Sequence, residues 1–249
     1  MRDVNRLLRP VSATLVSVVV GTVVTLLLSL VPADARPVAP GQDRVAQAQR
    51  RLNALGCQAG RADGELDAWT RSALIRFQSR HGFAQTGRLD ERTTRKLYAE
   101  GRWAASRCDR RPVPGHSGNG RRIVISQRQN WVWLVGPAGR VVAEGGMIDN
   151  PGVLRRGAHA TGSYCGRAAR IKLNRASSGA MWLDNFVRFA PCGIGFHRIP
   201  RAMASGRQIH ADWLLGTNMA QSHGCIRLSR ELSGKVWDFT VRRTPVRVV

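Results

Sequence analysis

Apolar and polar positions divide the chain into three zones with different periods. Val11 to Val31 is an apolar stretch free of charge, preceded by Arg2, Arg6 and Arg9. From Asp43 the spacing becomes helical: Val45, Ala48, Leu52 and Leu55 follow one another on one face, with Asp43 placed to cap and Gly56 to stop the helix. Beyond Gly120 the period shortens to that of strands. Ile123 and Ile125, then Trp131, Trp133 and Val135, sit among polar residues, with Gln129-Asn130 at a turn between them. Pro137-Ala138-Gly139 makes a second turn into Val141-Val142, and Val246 to Val249 reads as a closing strand.

Between the first helix and the strands lies an internal repeat. Gly64-Glu65-Leu66-Asp67-Ala68-Trp69-Thr70 leads on to Leu74, and Gly87-Arg88-Leu89-Asp90-Glu91-Arg92-Thr93 leads on to Leu97. Each copy is a glycine turn, a leucine placed to staple, an aspartate cap and a helix with threonine in its first turn. Trp69, Ala73 and Phe77 share one face of the first repeat's helix. Residues 43–108 thus read as a three-helix module, residues 109–120 as a Pro/Gly/Ser/Arg linker, and residues 121–249 as a mostly-β domain. The fold class expected is α+β.

Composition places this architecture outside the cytoplasm. The basic start, the apolar run and the small residues of Ala33-Asp34-Ala35 have the layout of an export signal over residues 1–35. The apolar stretch is nearly long enough to span a bilayer, so residues 11–31 are also a candidate membrane anchor. Both readings export the rest of the chain, to the cell wall or the outer face of the cytoplasmic membrane. With 39 Lys+Arg against 16 Asp+Glu, the formal charge is +23. Charge of this sign suits an anionic envelope or nucleic acid, and export argues against nucleic acid.

The chain has five cysteines, Cys57, Cys108, Cys165, Cys192 and Cys225. Exported thiols tend to pair, and an odd count leaves one over. The densest polar constellation surrounds the last of them: Ser222-His223-Gly224-Cys225-Ile226-Arg227-Leu228. A nucleophilic cysteine needs a base or a positive field, and backbone N–H groups for the developing oxyanion. In an extended segment His223 and Arg227, each two residues away, would share the side of the thiol. Metal-ligand spacings such as Cys-x2-Cys are missing from the sequence, so no metal is expected.

Two resemblances sharpen this picture. Leu52, Leu55-Gly56, Asp63-Gly64, Thr70, Ala73, Phe77-Gln78, Gly82, Gly87, Thr93 and Leu97 make the module similar to the peptidoglycan-binding-like domain. It departs at Asp67, where that family usually has Gly, and at Thr86, where Asp usually stands. Ser-His-Gly-Cys-Ile-Arg-Leu resembles the signature of the L,D-transpeptidase catalytic domain. Gly193 to Pro200, with His197, resembles that family's other histidine segment, Leu215-Gly216-Thr217 the stretch before its Cys loop, and Thr161 to Tyr164 the end of a further segment whose proline is absent here.

The resemblance implies roles for particular residues. Cys225 is the expected nucleophile and His197 the expected base. His223 shapes the site with Ser222, the amides of Gly224 and Cys225 are oxyanion candidates, and Arg227 holds the loop or a substrate carboxylate. His210 is an alternative base, 15 residues before Cys225 where His197 is 28. His81, His116 and His159 stand in no motif. A Cys57–Cys108 bridge would close a loop of about 50 residues around the module. Cys165 and Cys192 would pair within the catalytic domain, leaving Cys225 free. The implied reaction is acyl transfer on peptidoglycan stem peptides without a cofactor: a thioester on Cys225, release of D-Ala and a 3→3 cross-link. The alternatives are an L,D-carboxypeptidase and a non-enzymatic scaffold that binds the wall polymer.

Overall fold

The computed structural model describes residues 40–99 and 107–249. The expected export signal or anchor lies outside the described residues, as does the side chain of Cys192. No helix among the described residues is long and apolar enough to cross a membrane.

The module holds three helices: α1 (Pro40–Ala54), α2 (Ala68–Arg80) and α3 (Glu91–Tyr98). Asp67 and Asp90 cap α2 and α3, each side chain accepting from the backbone N–H three residues on, at Thr70 and Thr93. This satisfies one of the orphan amides at each helix start. Asp43 does not cap: α1 begins at Pro40 and Asp43 lies in its first turn, where its charge favours the helix dipole. The internal repeat has a structural basis the sequence did not reveal, in two fully buried glutamines. Gln49 Nε2 donates to Asp63 Oδ1, Glu65 O and Thr70 Oγ1, and its Oε1 accepts from Gly64 N. Gln78 does the same for the second copy, reaching Thr86 Oγ1, Arg88 O and Thr93 Oγ1 while accepting from Gly87 N. Each glutamine clamps one glycine turn onto its capped helix, with both ends of its amide used.

Leu52, Leu55, Ala73, Leu74, Phe77 and Leu97 fill the module core. Leu89 packs against it, whereas Leu66 stays at the surface. Trp69 also departs from expectation. It is 44% exposed rather than in the core, and its ring lies 5.7 Å from that of Trp213. A disulfide joins Cys57 to Cys108 across 51 residues, both cysteines buried in the module core, and it supplements a core that is small for a module of this length.

The remaining chain builds two five-stranded sheets. The first has the order β3-β2-β1-β10-β4, from β1 (Arg122–Ser126), β2 (Trp131–Val135), β3 (Val141–Gly146), β4 (Gly157–Ala160) and β10 (Pro245–Val248). Its closing strand runs parallel to β1, pairing Ile123 with Val246. The second has the order β5-β6-β7-β9, from β5 (Arg170–Arg175), β6 (Met181–Arg188), β7 (Gly195–Arg198) and β9 (Ile226–Leu228), with β8 (Arg201–Ala202) added to β6. Helix α4 (Arg230–Phe239) follows β9, capped by Ser229. Ile123, Ile125, Val132, Leu134 and Val246 of the first sheet, Val187, Phe196, Ile226 and Leu228 of the second, and Leu232 and Val236 of α4 form one core.

The other face of the first sheet carries Val124, Trp131, Trp133 and Val135, and it is buried as well. The stretch expected as a linker covers part of it. Arg111, 3% exposed, lays its guanidinium over the Trp131 ring at 4.1 Å. The same group donates to Cys108 O, Ser79 Oγ, Gln129 O and Arg76 O. The Arg111 carbonyl accepts from Trp133 Nε1. On α2, Arg76 reaches the other way, to Leu215 O at 3.0 Å, Trp213 O and Cys57 O. Burial lowers both guanidinium pKa values, to about 10 for Arg76 and about 9 for Arg111, so both stay charged at neutral pH. Module and sheets are therefore joined by buried cations solvated by backbone carbonyls, and the described residues form one compact unit.

Candidate active site

The second sheet has two unlike faces. Val187, Phe196, Ile226 and Leu228 point into the core. Alternation along each strand then puts Phe186 and Arg188 of β6, Gly195 and His197 of β7, and Cys225 and Arg227 at β9 on the opposite face. Strand register sets their order: Arg188 pairs with Gly195, and His197 pairs with Arg227 across the parallel β7–β9 ladder. Cys225, immediately before β9, stands level with Gly195 and one pleat from His197. The sequence-expected pair therefore shares a face, although 28 residues separate its members in the chain.

The Cys loop is held from behind by residues the sequence reading passed over. Asn150 Nδ2 donates to Ser222 O, and Ser222 N donates to Asp149 O. Ser222 Oγ accepts from Gly224 N at 2.9 Å. Gly224 has φ +127°, and a Cβ there would meet Val153 Cγ1 at 2.8 Å. Only glycine satisfies both constraints without strain. The one available signal for this cradle was Asp149-Asn150-Pro151-Gly152, a polar turn sequence.

Two expectations need correcting. The bend at Gly224 interrupts the extended segment, so alternation does not carry His223 to the side of the thiol, and His223 is exposed. The Gly224 amide is already committed to Ser222, which leaves the Cys225 amide as the backbone oxyanion candidate. Tyr164 lies in a tight turn paired with Arg167, its Oη donating to Ala160 O.

Protons are placed by burial. His197 is 3% exposed, and burial holds its pKa down to about 4, so the ring is neutral at pH 7. Its Nδ1 lies 2.5 Å from Arg198 O. A carbonyl only accepts, so Nδ1 carries the proton and Nε2 keeps the lone pair. The Phe186 ring stacks 6.2 Å from the imidazole. Burial raises the Cys225 thiol, while the Gly195 amide, Arg188 and Arg227 oppose it. In the resting state Sγ donates to Gly193 O at 3.4 Å. His210, the alternative base, is half-exposed beside Arg227, its pKa lowered by burial. Cys165 is disulfide-bonded, and Cys225 is the free cysteine among the described residues.

Asp149 gives the cradle a pH signature. Burial raises its pKa from 3.8 to about 6, against a hydrogen bond from Gln127 Nε2. The folded state therefore holds a proton that the unfolded chain releases. This stability is present below about pH 4 and is lost as pH rises through about 6. Asp149→Asn is expected to abolish that loss, a relative gain of about 3 kcal/mol at pH 7. Thermal melts of both proteins at pH 4 and pH 7 check this; parallel pH dependence would refute it.

A family model for the L,D-transpeptidase catalytic domain matches residues 76–248, more than half of the chain, and one for a peptidoglycan binding domain matches residues 41–97. The chain belongs to the L,D-transpeptidase catalytic domain family. The match begins at Arg76, the α2 residue that donates to the carbonyls of Trp213 and Leu215. Among solved structures, an L,D-transpeptidase from Xylanimonas cellulosilytica is 22% identical, covering 86% of this chain and 100% of that one, with a TM-score of 0.48. One from Stackebrandtia nassauensis is 17% identical over 83% of this chain and 91% of that one, TM-score 0.42. L,D-transpeptidase 1 of Mycobacterium tuberculosis is 17% identical over 53% and 63%, TM-score 0.36. No curated protein sequence matches the chain. Family membership makes this an enzyme of the peptidoglycan L,D-transpeptidase group with a peptidoglycan binding domain in front of it.

Proposed function

We propose that the protein is an exported transpeptidase that forms 3→3 cross-links in peptidoglycan through a thioester on Cys225. The observation that carries this reading is a free thiol on the same sheet face as a neutral, buried imidazole. His197 Nε2 takes the Cys225 proton. The thiolate attacks the carbonyl between the third stem residue and D-Ala, and the C–N bond breaks as His197 returns the proton to the leaving amine. The side-chain amine of a second stem's third residue then attacks the thioester, the S–C bond breaks, and the thiol is restored. The Cys225 amide faces the oxyanion, Ser222 keeps the loop in shape, Arg227 attracts a stem carboxylate, and exposed His223 borders the entry.

In this reading residues 1–35 export the chain, residues 43–108 dock on the wall polymer, and residues 121–249 carry the chemistry. The Cys57–Cys108 bridge suits an oxidising compartment. Intact-mass spectrometry after incubation with a carbapenem tests the mechanism. The parent is expected to gain one drug mass and Cys225→Ser none. An adduct on Cys225→Ser, or none on the parent, would overturn the proposal.

A further inference from the structure

The active-site face holds a buried cation that the scheme above leaves unused. Arg188, the last residue of β6, is 2% exposed. Its backbone is fixed on both sides: its N–H donates to Ala169 O at 2.8 Å, and its carbonyl accepts from Gly162 N at 3.1 Å. Its Nε donates to Ala168 O at 3.2 Å, and its guanidinium lies 5.0 Å from the Phe186 ring centroid. Nη1, also buried, has no hydrogen-bond partner. Leaving such a donor unpaired in the interior is costly, because its lost hydration is not replaced. A native fold that keeps one calls for a specific explanation.

Register indicates what the donor faces. Arg188 pairs with Gly195, and the step preceding the Phe196–Ile226 pair sets Gly195 level with Cys225. Arg188, Gly195 and Cys225 thus form one row across three strands on the face turned from the core. The middle position carries no side chain and admits none, since a Cβ at Gly195 would meet Phe186 Cζ and Val187 O, each at 2.7 Å. The edge of the Phe186 ring takes up the space over Gly195, and the guanidinium and the sulfur flank that position. Their charges are coupled, the cation favouring the thiolate and the thiolate the cation.

We infer that Arg188 holds the Cys225 thiolate, its unpaired Nη1 donating to Sγ once the proton has left. The inference rests on Cys225 being the nucleophile. The S–H bond breaks as the Nε2–H bond of His197 forms, and the new anion lies between imidazolium and guanidinium. This supplies what the resting site lacks. Proton transfer from a thiol raised by burial to an imidazole held neutral by burial runs uphill, and a fixed positive charge beside the sulfur lowers that cost. The other groups around the sulfur are Arg227 from β9 and the Gly195 amide, which act in the same sense, and the neutral ring of His197 on β7. Arg167, from the loop beside Arg188, opposes the charge of Arg188.

The test is the pH dependence of Cys225 alkylation by iodoacetamide, followed by intact mass in the parent, Arg188→Gln and Arg188→Lys, with thermal melts to confirm folding. Arg188→Gln is expected to raise the apparent thiol pKa by about one unit, slowing alkylation at pH 7 about tenfold. Arg188→Lys, which keeps the charge, is expected to restore most of the rate. A folded Arg188→Gln that titrates like the parent would overturn the inference, as would a folded Arg188→Lys as slow as Arg188→Gln. Alkylation reads the sulfur whether or not it ever accepts an acyl group. Persistence of cross-linking in Cys225→Ser would instead sink the nucleophile itself.

Discussion

Replacing His197 with glutamine is expected to lower the rate of Cys225 acylation about 10²- to 10⁴-fold, while His210→Gln stays close to the parent. Both imidazoles lie near Arg227, and both place Nδ1 against the carbonyl of the following residue. They differ in where the lone pair sits. His197 is on β7, on the sheet face of the thiol and one pleat from it, with its ring between Phe186 and the β9 ladder. His210 lies in the loop between β8 and the Cys loop, off the β7–β9 ladder. Burial keeps His197 neutral down to about pH 4, so the parent rate is expected to hold through mildly acid pH and fall only toward that value. Single-turnover carbapenem acylation, measured from pH 4 to 8, reports both effects. A large loss in His210→Gln with His197→Gln unaffected would reverse the assignment.

The second large effect is on stability. Arg111→Met is expected to cost about 3–5 kcal/mol, because buried acceptors lose their donor and each such group costs about 1–3 kcal/mol. Cys108 O, Ser79 Oγ, Gln129 O and Arg76 O all depend on this one guanidinium. Methionine fills much of the same volume, which isolates lost solvation from cavity formation. Relief of the burial cost of the charge offsets part of the loss. At about 2–4 °C per kcal/mol for a chain of this size, the melting temperature is expected to fall by about 10 °C. A variant melting within a degree of the parent would show that the carbonyls find other donors.

Sequence alone was a good guide wherever one residue's environment is set by its near neighbours. The Asp67 and Asp90 caps, the three strands from Ile123 to Val142 and the closing strand follow from local period and turn chemistry, whereas the parallel pairing of that last strand with β1 does not. Cys225 stood out because its loop carries unusual residue types close together. Arg188 did not, since an arginine in a chain of charge +23 attracts no notice, and its meaning depends on register across three strands. Arg111 was hidden for the opposite reason: a Pro/Gly/Ser/Arg stretch looks solvated until the surface it docks on is known. Trp69 has core spacing on α2 but turns outward to meet Trp213, a partner 144 residues away. The alternation expected from His223 to Cys225 is broken by the bend at Gly224.

The arginines at the joint give the small module a second office. Arg76 is rooted in α2, yet the carbonyls it grips belong to residues 213 and 215, the approach to the loop that bears the sulfur. Gln85, from the turn after α2, accepts from Asn130 and Asn218 on the same side. The helices thus act as a splint for the reactive end of the molecule. A fragment cut at residue 120 would lose that brace, and the indoles of Trp131 and Trp133 would meet water on a naked sheet.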